Sequence, residues 1–268
     1  LQNALALATG NDEIWVAEGV YTPDPGGTDD TRSFRIPGVK DGLKLYGGFQ
    51  NGDAFDERAP RSHRTVLSGD LEGDDTDPDE DDIVEDADPD NDGTAENLNG
   101  PNAHNVLFLN GTTGDPITAG TVIDGVTVTG GLANGSADAS DDNGAGLHCA
   151  GNGTGSECSP TLRRVVFSGN AATEDGGAMS LNGGEQGVAR PRITQATFTG
   201  NAAVANGGAI QNDAKNTGVV EPTIINATFS DNTVKDFGGG AINNDGSTDG
   251  TASPTIINAT FSNNASED

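Results

Sequence analysis

Residues 222–232 read PTIINATFSDN, and residues 254–264 repeat them almost letter for letter as PTIINATFSNN. Two further copies stand earlier in the chain, PTLRRVVFSGN at 160–170 and PRITQATFTGN at 191–201. Successive phenylalanines at the same place in these copies are 31, 31 and 32 residues apart: Phe167, Phe198, Phe229 and Phe261. A repeat with a fixed period of this length predicts a solenoid, in which each repeat packs against its neighbours.

The content of one repeat indicates which kind of solenoid forms. Each repeat holds short β-prone runs and Gly/Asn turns, and it has neither a helical pattern of ten residues nor the leucine-rich template. A propeller blade needs more residues than one repeat supplies. The sequence therefore predicts an all-β fold, a right-handed single-stranded parallel β-helix in which each repeat is one coil.

Stacked coils place equivalent residues in columns along the solenoid. The phenylalanines form one inward column, and asparagines on a turn can hydrogen-bond from coil to coil. Asn226 and Asn258 are expected to form a second, short ladder. The three other expected columns are Leu162, Ile193, Ile224 and Ile256, which point inward, Val165, Ala196, Ala227 and Ala259, which also point inward, and Asn170, Asn201, Asn232 and Asn264, which line the turn.

Two tetrapeptides alternate through the repeats, GGA followed by Ile or Met, and Phe-x-x-Asn. The first stands at 176–179, 207–210 and 239–242, and the second ends each copy quoted above. Over roughly residues 144–264 they resemble the repeats of chlamydial polymorphic outer-membrane proteins and of related secreted bacterial β-helix proteins. The resemblance implies a surface adhesin or an autotransported passenger, with residues 1–8 forming a helix that caps the solenoid. Some proteins of this group carry a pectate-lyase label that rests on fold similarity.

The whole chain is expected to be one β-helix domain and a piece of a longer protein. An uncapped terminal coil offers unpaired strands, so end-to-end self-association is also expected. Gly10 stands where a C-cap would end the first helix. The predicted segments are a capping helix at 1–10, N-terminal coils at 11–69, an acidic inserted loop at 70–100 and repeat-bearing coils at 101–268.

The net charge and the choice of charged residues exclude some classes of partner and suggest the kind of source organism. Acidic residues outnumber basic ones 42 to 13, for a net charge of −29, which disfavours binding to nucleic acid or to an anionic membrane surface. No apolar run approaches the roughly 20 residues of a membrane span, so membrane insertion is not expected. The Asp-rich, Lys-poor composition suits high salt and suggests a halophilic or marine source. The alternative is a secreted protein that is simply acidic.

Residues 70–96 hold 15 carboxylates in 27 positions. So dense a run is predicted to loop out, either solvated or neutralised by cations. Its Asp-x-Asp-x-Asp-Gly stretch matches the first half of an EF-hand-like calcium loop, although Asn99 replaces the closing glutamate. We hypothesise structural calcium here, with a solvated acidic loop as the alternative. The candidate ligands are Asp88, Asp90, Asp92 and Glu96, and in a second cluster Asp70, Asp74 and Asp75, with Asp77 and Asp79 beside them.

The two cysteines, Cys149 and Cys158, flank a short glycine-rich loop. An even number of cysteines around such a loop predicts a disulfide and an oxidising, extracellular or cell-surface location. The spacing fits no zinc site, and a reactive thiol would require an activating base in a cleft. Trp15 and Tyr21, in the first strand after the cap, are expected to be packing residues.

Twelve residues separate each GGA motif from the next proline in three repeats: 179–190, 210–221 and 242–253. Loops of equal length on consecutive coils are predicted to stack as a wall, and extended faces of this kind are where solenoids meet ligands. Four arginines fall beside the wall: Arg163, Arg164, Arg190 and Arg192. They are either paired with acidic neighbours or form a site for an anionic polysaccharide.

Two functions from different classes follow. The leading prediction is a secreted or surface-displayed structural and adhesive protein that presents an extended face to glycans, matrix or other cells. The alternative is a calcium-dependent polysaccharide lyase or a hydrolase, in which one of the four arginines would serve as the base. A cleft that joins these arginines to several carboxylates favours the enzyme, and a flat wall favours adhesion.

Overall fold

The computed structural model describes residues 1–79, 81–88, 90, 94–112, 114–135 and 142–267. Among these residues, the strands form five parallel sheets, and each sheet takes its strands from successive coils in chain order. Neighbouring strands of a sheet are thus separated by a whole coil. The predicted parallel β-helix with a short N-terminal helix is confirmed.

Two sheets receive a strand from every coil. Sheet I consists of β1 (Glu13–Ala17), β4 (Lys44–Phe49), β7 (Val122–Asp124), β11 (Thr161–Arg163), β16 (Arg192–Thr194), β21 (Thr223–Ile225) and β26 (Thr255–Ile257). Sheet II consists of β2 (Gly19–Tyr21), β5 (Thr65–Ser68), β8 (Thr127–Thr129), β12 (Val166–Ser168), β17 (Thr197–Thr199), β22 (Thr228–Ser230) and β27 (Thr260–Ser262).

The other sheets complete each coil. Sheet III consists of β9 (Leu132–Ala133), β13 (Ala171–Ala172), β18 (Ala202–Ala203), β23 (Thr233–Val234) and β28 (Ala265–Ser266). Sheet IV consists of β3 (Phe34–Pro37), β6 (Leu107–Asn110), β10 (Leu147–Ala150), β14 (Met179–Asn182), β19 (Ile210–Asp213) and β24 (Ile242–Asp245). Sheet V consists of β15 (Val188–Ala189), β20 (Val219–Val220) and β25 (Thr251–Ala252). Short 3-10 helices span Gly38–Lys40 and Phe55–Glu57.

The core is built from the predicted columns. Ile193 pairs in register with Leu162 on one side and with Ile224 on the other, and all three are buried. The phenylalanine rings stack nearly parallel, with centroids 5.3 Å apart between Phe167 and Phe198 and 4.7 Å apart between Phe198 and Phe229. Because each coil repeats the same residues at the same register, one packing solution serves the whole solenoid.

A ladder of buried asparagines runs beside the phenylalanines. Asn201 accepts a hydrogen bond from the Nδ2 of Asn170 at 3.0 Å and donates its own Nδ2 to Asn232 at 2.9 Å. These three side chains are fully buried, so every amide must find partners within the protein. The shorter ladder predicted for Asn226 and Asn258 is also present, at 2.6 Å.

The capping helix, α1 (Gln2–Leu7), is shorter than predicted. It places Leu5 in the core and ends at Ala8, whose backbone is extended. Gly10 is therefore not its C-cap, and that prediction was wrong. A Cβ on Gly10 would lie 2.6 Å from the carbonyl oxygen of Asp41, so a close approach of two backbones explains the glycine.

The described residues of the acidic segment form no helix or strand, and the segment folds back onto the solenoid instead of extending into solvent. Val84 donates its backbone N–H to the Oγ1 of Thr129 at 2.9 Å, and Ser168 donates its hydroxyl to the Val84 carbonyl at 2.7 Å. A small apolar cluster attaches the segment to sheet III; its members are Val84, Ala87, Leu98, Ala171 and Ala202. We call residues 70–100 the strap, because those of them that the structure describes lie across several coils. The few apolar residues among its carboxylates are what fix it in place.

The last coil exposes the ends of the inward columns. Ile256 and Phe261 are 40% and 49% exposed, although their equivalents in earlier coils are buried. Both still pair in register with the preceding coil. Apolar surface at this end of the described chain is therefore uncovered.

Candidate functional site

The turns that follow sheet IV stack as predicted. Glu185 donates its backbone N–H to the carbonyl of Lys215 at 2.9 Å, and Asn216 donates to the carbonyl of Ser247 at 3.2 Å. We call these stacked turns, at residues 184–187, 215–218 and 247–250, the turn wall. Because the backbones are hydrogen-bonded coil to coil, the wall is a continuous surface rather than a set of separate loops.

Each turn of the wall carries two consecutive residues in the left-handed conformation. Glu185 and Gln186 have φ values of 53° and 67°, and Asn216 and Thr217 have 57° and 63°. All four side chains are exposed. A pair of left-handed residues defines the tightest two-residue turn, and non-glycine residues there raise the backbone energy.

The cysteine loop continues the wall toward the N-terminal coils. Gly153 donates its N–H to the carbonyl of Gly184 at 3.0 Å, and the Thr154 hydroxyl donates to the Oε1 of Gln186 at 2.9 Å. Cys149 and Cys158 form the predicted disulfide and are both buried. The disulfide therefore anchors this part of the wall in the core.

Two of the four predicted arginines are paired with acidic neighbours. Arg164 binds both carboxylate oxygens of Asp124, with its Nε 2.9 Å from Oδ1 and its Nη2 2.5 Å from Oδ2. Arg58, whose side chain is 7% exposed, binds the same carboxylate, with its Nη1 3.3 Å from Oδ2. Arg190 pairs with Glu221 at 2.9 Å. These contacts match the alternative in which the arginines pair with their neighbours.

The arginines do not share one cleft. Arg163 and Arg192 are exposed on the outer face of sheet I. A cavity of 590 Å³ lies beneath the loop that follows β4, and Arg164 is the member of the predicted set that lines it, together with Arg61 and Gln195. Within the described residues, the arrangement that the lyase alternative requires, arginines meeting several carboxylates in one cleft, is not found.

Carboxylates of the strap come together as the two predicted groups. One oxygen from each of Asp70, Asp74 and Asp75 lies within 4.8 Å of the others, and the same holds for Asp88, Asp90 and Glu96. A third group, which the sequence only partly indicated, contains Asp77, Asp79, Asp81 and Glu85. Asp92, a predicted ligand, lies outside the described residues. Carboxylate oxygens at these separations suit Ca²⁺.

The first of these groups is electrostatically strained. Burial, together with the nearby charges of Asp70 and Asp74, raises the pKa of Asp75 to about 7, although hydrogen bonds from Asn99 and Asn102 oppose the shift. Part of the group has another role, since the Oδ1 of Asp70 accepts the backbone N–H of Gly73 at 2.6 Å. A bound cation would relieve the repulsion, but the same carboxylates also shape the loop.

An exposed aromatic cluster at the N-terminal end was not predicted. Trp15 stacks on Phe49 with centroids 5.1 Å apart, and Phe55 lies against both rings. Trp15 is 47% exposed and Phe55 is 42% exposed, so the expectation that Trp15 is a packing residue was wrong. The Arg58 guanidinium carbon lies 5.1 Å from the centroid of Tyr46, which joins the cluster. Alternation along β1 already placed Trp15 on the outward face, opposite the buried Val16.

A polar cleft of 250 Å³ lies where the outer face of sheet IV meets the turn wall. Ser180 and Gln211 face outward on β14 and β19, yet both are buried. Asp175 stands on one side of the cleft, and Asp213 and Lys215 stand on the other. Sequence reasoning missed this site because its residues come from three separate parts of each coil.

Comparison with known proteins identifies the repeat. Residues 195–213 match the Chlamydia polymorphic membrane protein repeat. This stretch carries both tetrapeptides, Phe-Thr-Gly-Asn at 198–201 and Gly-Gly-Ala-Ile at 207–210. No curated protein and no solved structure matches the chain. The repeat and the parallel β-structure fit a surface-exposed β-helix protein. Among the described helices, none is both long and apolar enough to span a membrane.

Proposed function

We propose that this chain is a structural and adhesive β-helix protein, displayed outside the cell, that presents an extended face to glycans, matrix or other cells. The turn wall is the observation that carries the proposal. Its exposed Glu185, Gln186, Asn216 and Thr217 repeat along the solenoid on a hydrogen-bonded backbone. Such a surface offers many weak contacts in a fixed geometry, which suits a repetitive polymer or a crowded cell surface.

The interior keeps this face rigid. Stacked phenylalanines and the buried asparagine ladder fix each coil against the next, so the wall does not have to be ordered when it binds. The aromatic cluster around Trp15 offers a second contact surface, because exposed aromatic rings can lie flat against the apolar faces of sugar rings.

Calcium and salt are proposed as structural partners. The three carboxylate groups of the strap lie close enough to share cations, and the net charge of −29 makes the folded chain repel itself in dilute buffer. Calcium at the strap and a high concentration of NaCl around the molecule would both reduce that repulsion. The Asp-rich composition is the support for a halophilic source.

End-to-end association is proposed for the exposed last coil. Ile256 and Phe261 continue the inward columns, so a second copy of this chain could add its own coil there and cover them. Sedimentation of the chain at rising concentration tests this association. A species that stays monomeric at high concentration contradicts it.

The decisive experiment measures binding of the whole chain to immobilised glycans, matrix proteins and cells, with calcium and NaCl present. The double variant Gln186→Gly with Thr217→Gly removes two wall side chains at positions whose backbone conformation favours glycine. Asn258→Gly with Asn263→Gly makes the same exchange at exposed left-handed residues elsewhere. We expect the parent chain to bind at least one of these ligands. The double variant in the turn wall should bind more weakly, and the control double variant should bind as the parent does.

Two outcomes contradict the proposal. In the first, the intact chain binds none of the glycans, matrix proteins or cells. In the second, binding is the same in the wall pair and the control pair. Ultraviolet absorbance of unsaturated uronate, followed with pectate and alginate in parallel, tests the lyase alternative; a rise that Arg163→Ala or Arg192→Ala abolishes would establish it.

A further inference from the structure

The polar cleft on sheet IV contains a buried donor that the protein does not satisfy. Gln211 is 1% exposed, and its Oε1 accepts the Nδ2 of Asn243 at 2.9 Å. Its Nε2 has no hydrogen-bond partner within the described part of the chain, although the side chain lines the cleft. Buried amide groups are almost always bonded, so this one points to an acceptor that comes from outside the protein.

Acceptors surround that donor on the walls of the cleft. Asp175 is held in place by Asn206, whose Nδ2 donates to its Oδ1 at 2.8 Å. Opposite it, the backbone N–H of Lys215 donates to the Oδ1 of Asp213 at 3.1 Å. Backbone and side-chain partners thus fix both carboxylates before any ligand arrives, which is the arrangement expected of a preformed site.

The charge of the cleft limits what it can bind. Asp142, Glu174, Asp175 and Asp213 line it, against a single lysine among the described lining residues. The Nζ of that lysine, Lys215, is already shared, since it lies 3.6 Å from Asp213 and 3.3 Å from Asp245. An anionic ligand such as a uronate would therefore be repelled.

Hydroxyl groups fit the remaining requirements. A hydroxyl can accept a hydrogen bond from the Nε2 of Gln211 and donate its own hydrogen to a carboxylate such as that of Asp175. An ammonium group could bind the carboxylates but offers no acceptor to Gln211. A ligand with several hydroxyls on a compact ring satisfies the donor and the acceptors together.

We infer that this cleft binds one neutral sugar unit of a glycan, and that it discriminates against acidic sugars. Gln211 supplies the donor, Asp175 and Asp213 supply the acceptors, and the adjoining turn wall carries the rest of the glycan chain. The inference rests on the proposed function for the class of ligand, and it adds the site and the selectivity.

Calorimetric titration of the full chain tests this site with maltotriose, galactotriose, mannotriose and trigalacturonate as probes. At least one neutral trisaccharide should bind, and trigalacturonate should bind more weakly or not at all. Gln211→Met keeps the size of the side chain and removes the donor, so it should weaken the neutral ligand tenfold or more. Gln50→Met makes the same exchange on an exposed residue of the N-terminal coils and should leave binding unchanged.

A second variant keeps the test decisive if Gln211→Met does not fold. Asp175→Asn retains the acceptor for Asn206 but loses the charge that receives a sugar hydroxyl, and it should also weaken the neutral ligand. The inference is overturned if no neutral trisaccharide binds, if trigalacturonate binds more tightly, or if both cleft variants bind as the parent does.

The two proposals fail separately. In one case the Gln186→Gly, Thr217→Gly double variant loses adhesion, and no neutral sugar binds to the chain. That result supports the adhesive function and overturns the proposal that the cleft binds a neutral sugar. In the opposite case, neutral sugar binds in a way that depends on Gln211 while the turn-wall variants adhere normally. That result supports sugar binding at the cleft and contradicts adhesion through the turn wall.

Discussion

A Cβ on Gly200 would overlap the carbonyl oxygen of Glu85 in the strap. Gly200 has a φ of 55°, and the equivalent residues of the next two coils are Asp231 at 56° and Asn263 at 53°. The left-handed conformation therefore tolerates Asp or Asn, and the glycine is required because the strap lies against it. Gly169, one coil earlier, approaches Val84 in the same way.

Gly200→Asn is expected to displace the strap. Asparagine accepts the backbone conformation, so the cost comes from the collision and from the lost hydrogen bond between Ala87 N–H and the Gly200 carbonyl. We expect about 2 kcal/mol of destabilisation and faster proteolysis within residues 70–100. Asp231→Asn is the matched control, and it should change neither the unfolding curve nor the proteolysis. If the two variants show the same stability and the same rate of proteolysis, contact with the strap is not what requires a glycine at position 200.

Phe198→Ala is expected to cost about 3–5 kcal/mol, because it empties a fully buried place between two stacked rings. Phe261→Ala makes the same exchange where the ring is 49% exposed and has one stacked neighbour, and it should cost less than half as much. Urea unfolding of both variants measures the difference. Similar costs would mean that the last coil is covered in solution, for example by a second copy.

Asp175 predicts a pH dependence of stability. Burial raises its pKa above the ordinary value of 3.8, Asp213 and Glu174 add to the rise, and Asn206 and Lys215 oppose it. The native state therefore holds this proton more tightly than the unfolded chain, and ionisation lowers the free energy of unfolding as pH rises from about 3.8 to the raised pKa. Below that window Asp175 is protonated in both the native and the unfolded state, so it does not lower the free energy of unfolding.

Asp175→Asn cannot ionise at this position. The melting temperature of the variant relative to that of the parent should therefore increase as the pH rises through this window, and the difference should then stay constant. Asp236→Asn removes an exposed carboxyl and serves as the control. Melting curves taken from pH 4 to pH 8 at one salt concentration make the comparison. If the difference in melting temperature between Asp175→Asn and the parent does not change with pH, the pKa of Asp175 is not raised in the native state.

Calcium removal is expected to loosen the strap. EDTA should lower the melting temperature and expose residues 70–100 to protease, because the carboxylate groups then repel one another without a shared cation. Calcium, but not the same concentration of magnesium, should restore both properties, since Ca²⁺ accepts more carboxylate ligands and a looser geometry. Measurements in high NaCl remove the general screening effect. Curves that neither EDTA nor added calcium changes contradict the proposal.

The columns of the core could be predicted from the sequence because every coil repeats the same residues. Ile193 has to lie between Leu162 and Ile224 once the period and the parallel register are known. The turn wall follows from the same reasoning, since equal spacing on successive coils brings equivalent positions together. The disulfide follows instead from an even number of cysteines around one short loop. The outward direction of Trp15 follows from the alternation along β1, but how much of its ring stays exposed depends on which loops cover the first coils.

The parallel β-helix and its stacked columns could be predicted from the sequence alone, because a solenoid coil contacts mainly the coils next to it and the period specifies those contacts. The disulfide and the acidic character of the strap follow from composition and local spacing. The folded chain was needed to establish where the strap lies, which arginines pair with Asp124 and Glu221, and that Gln211 forms part of a polar cleft. The strap and Arg58 reach the solenoid from loops that fold back onto it, and the period carries no information about where such loops lie. Arg190 and Glu221 do stand at equivalent positions of successive coils, but the period alone does not decide that their side chains pair.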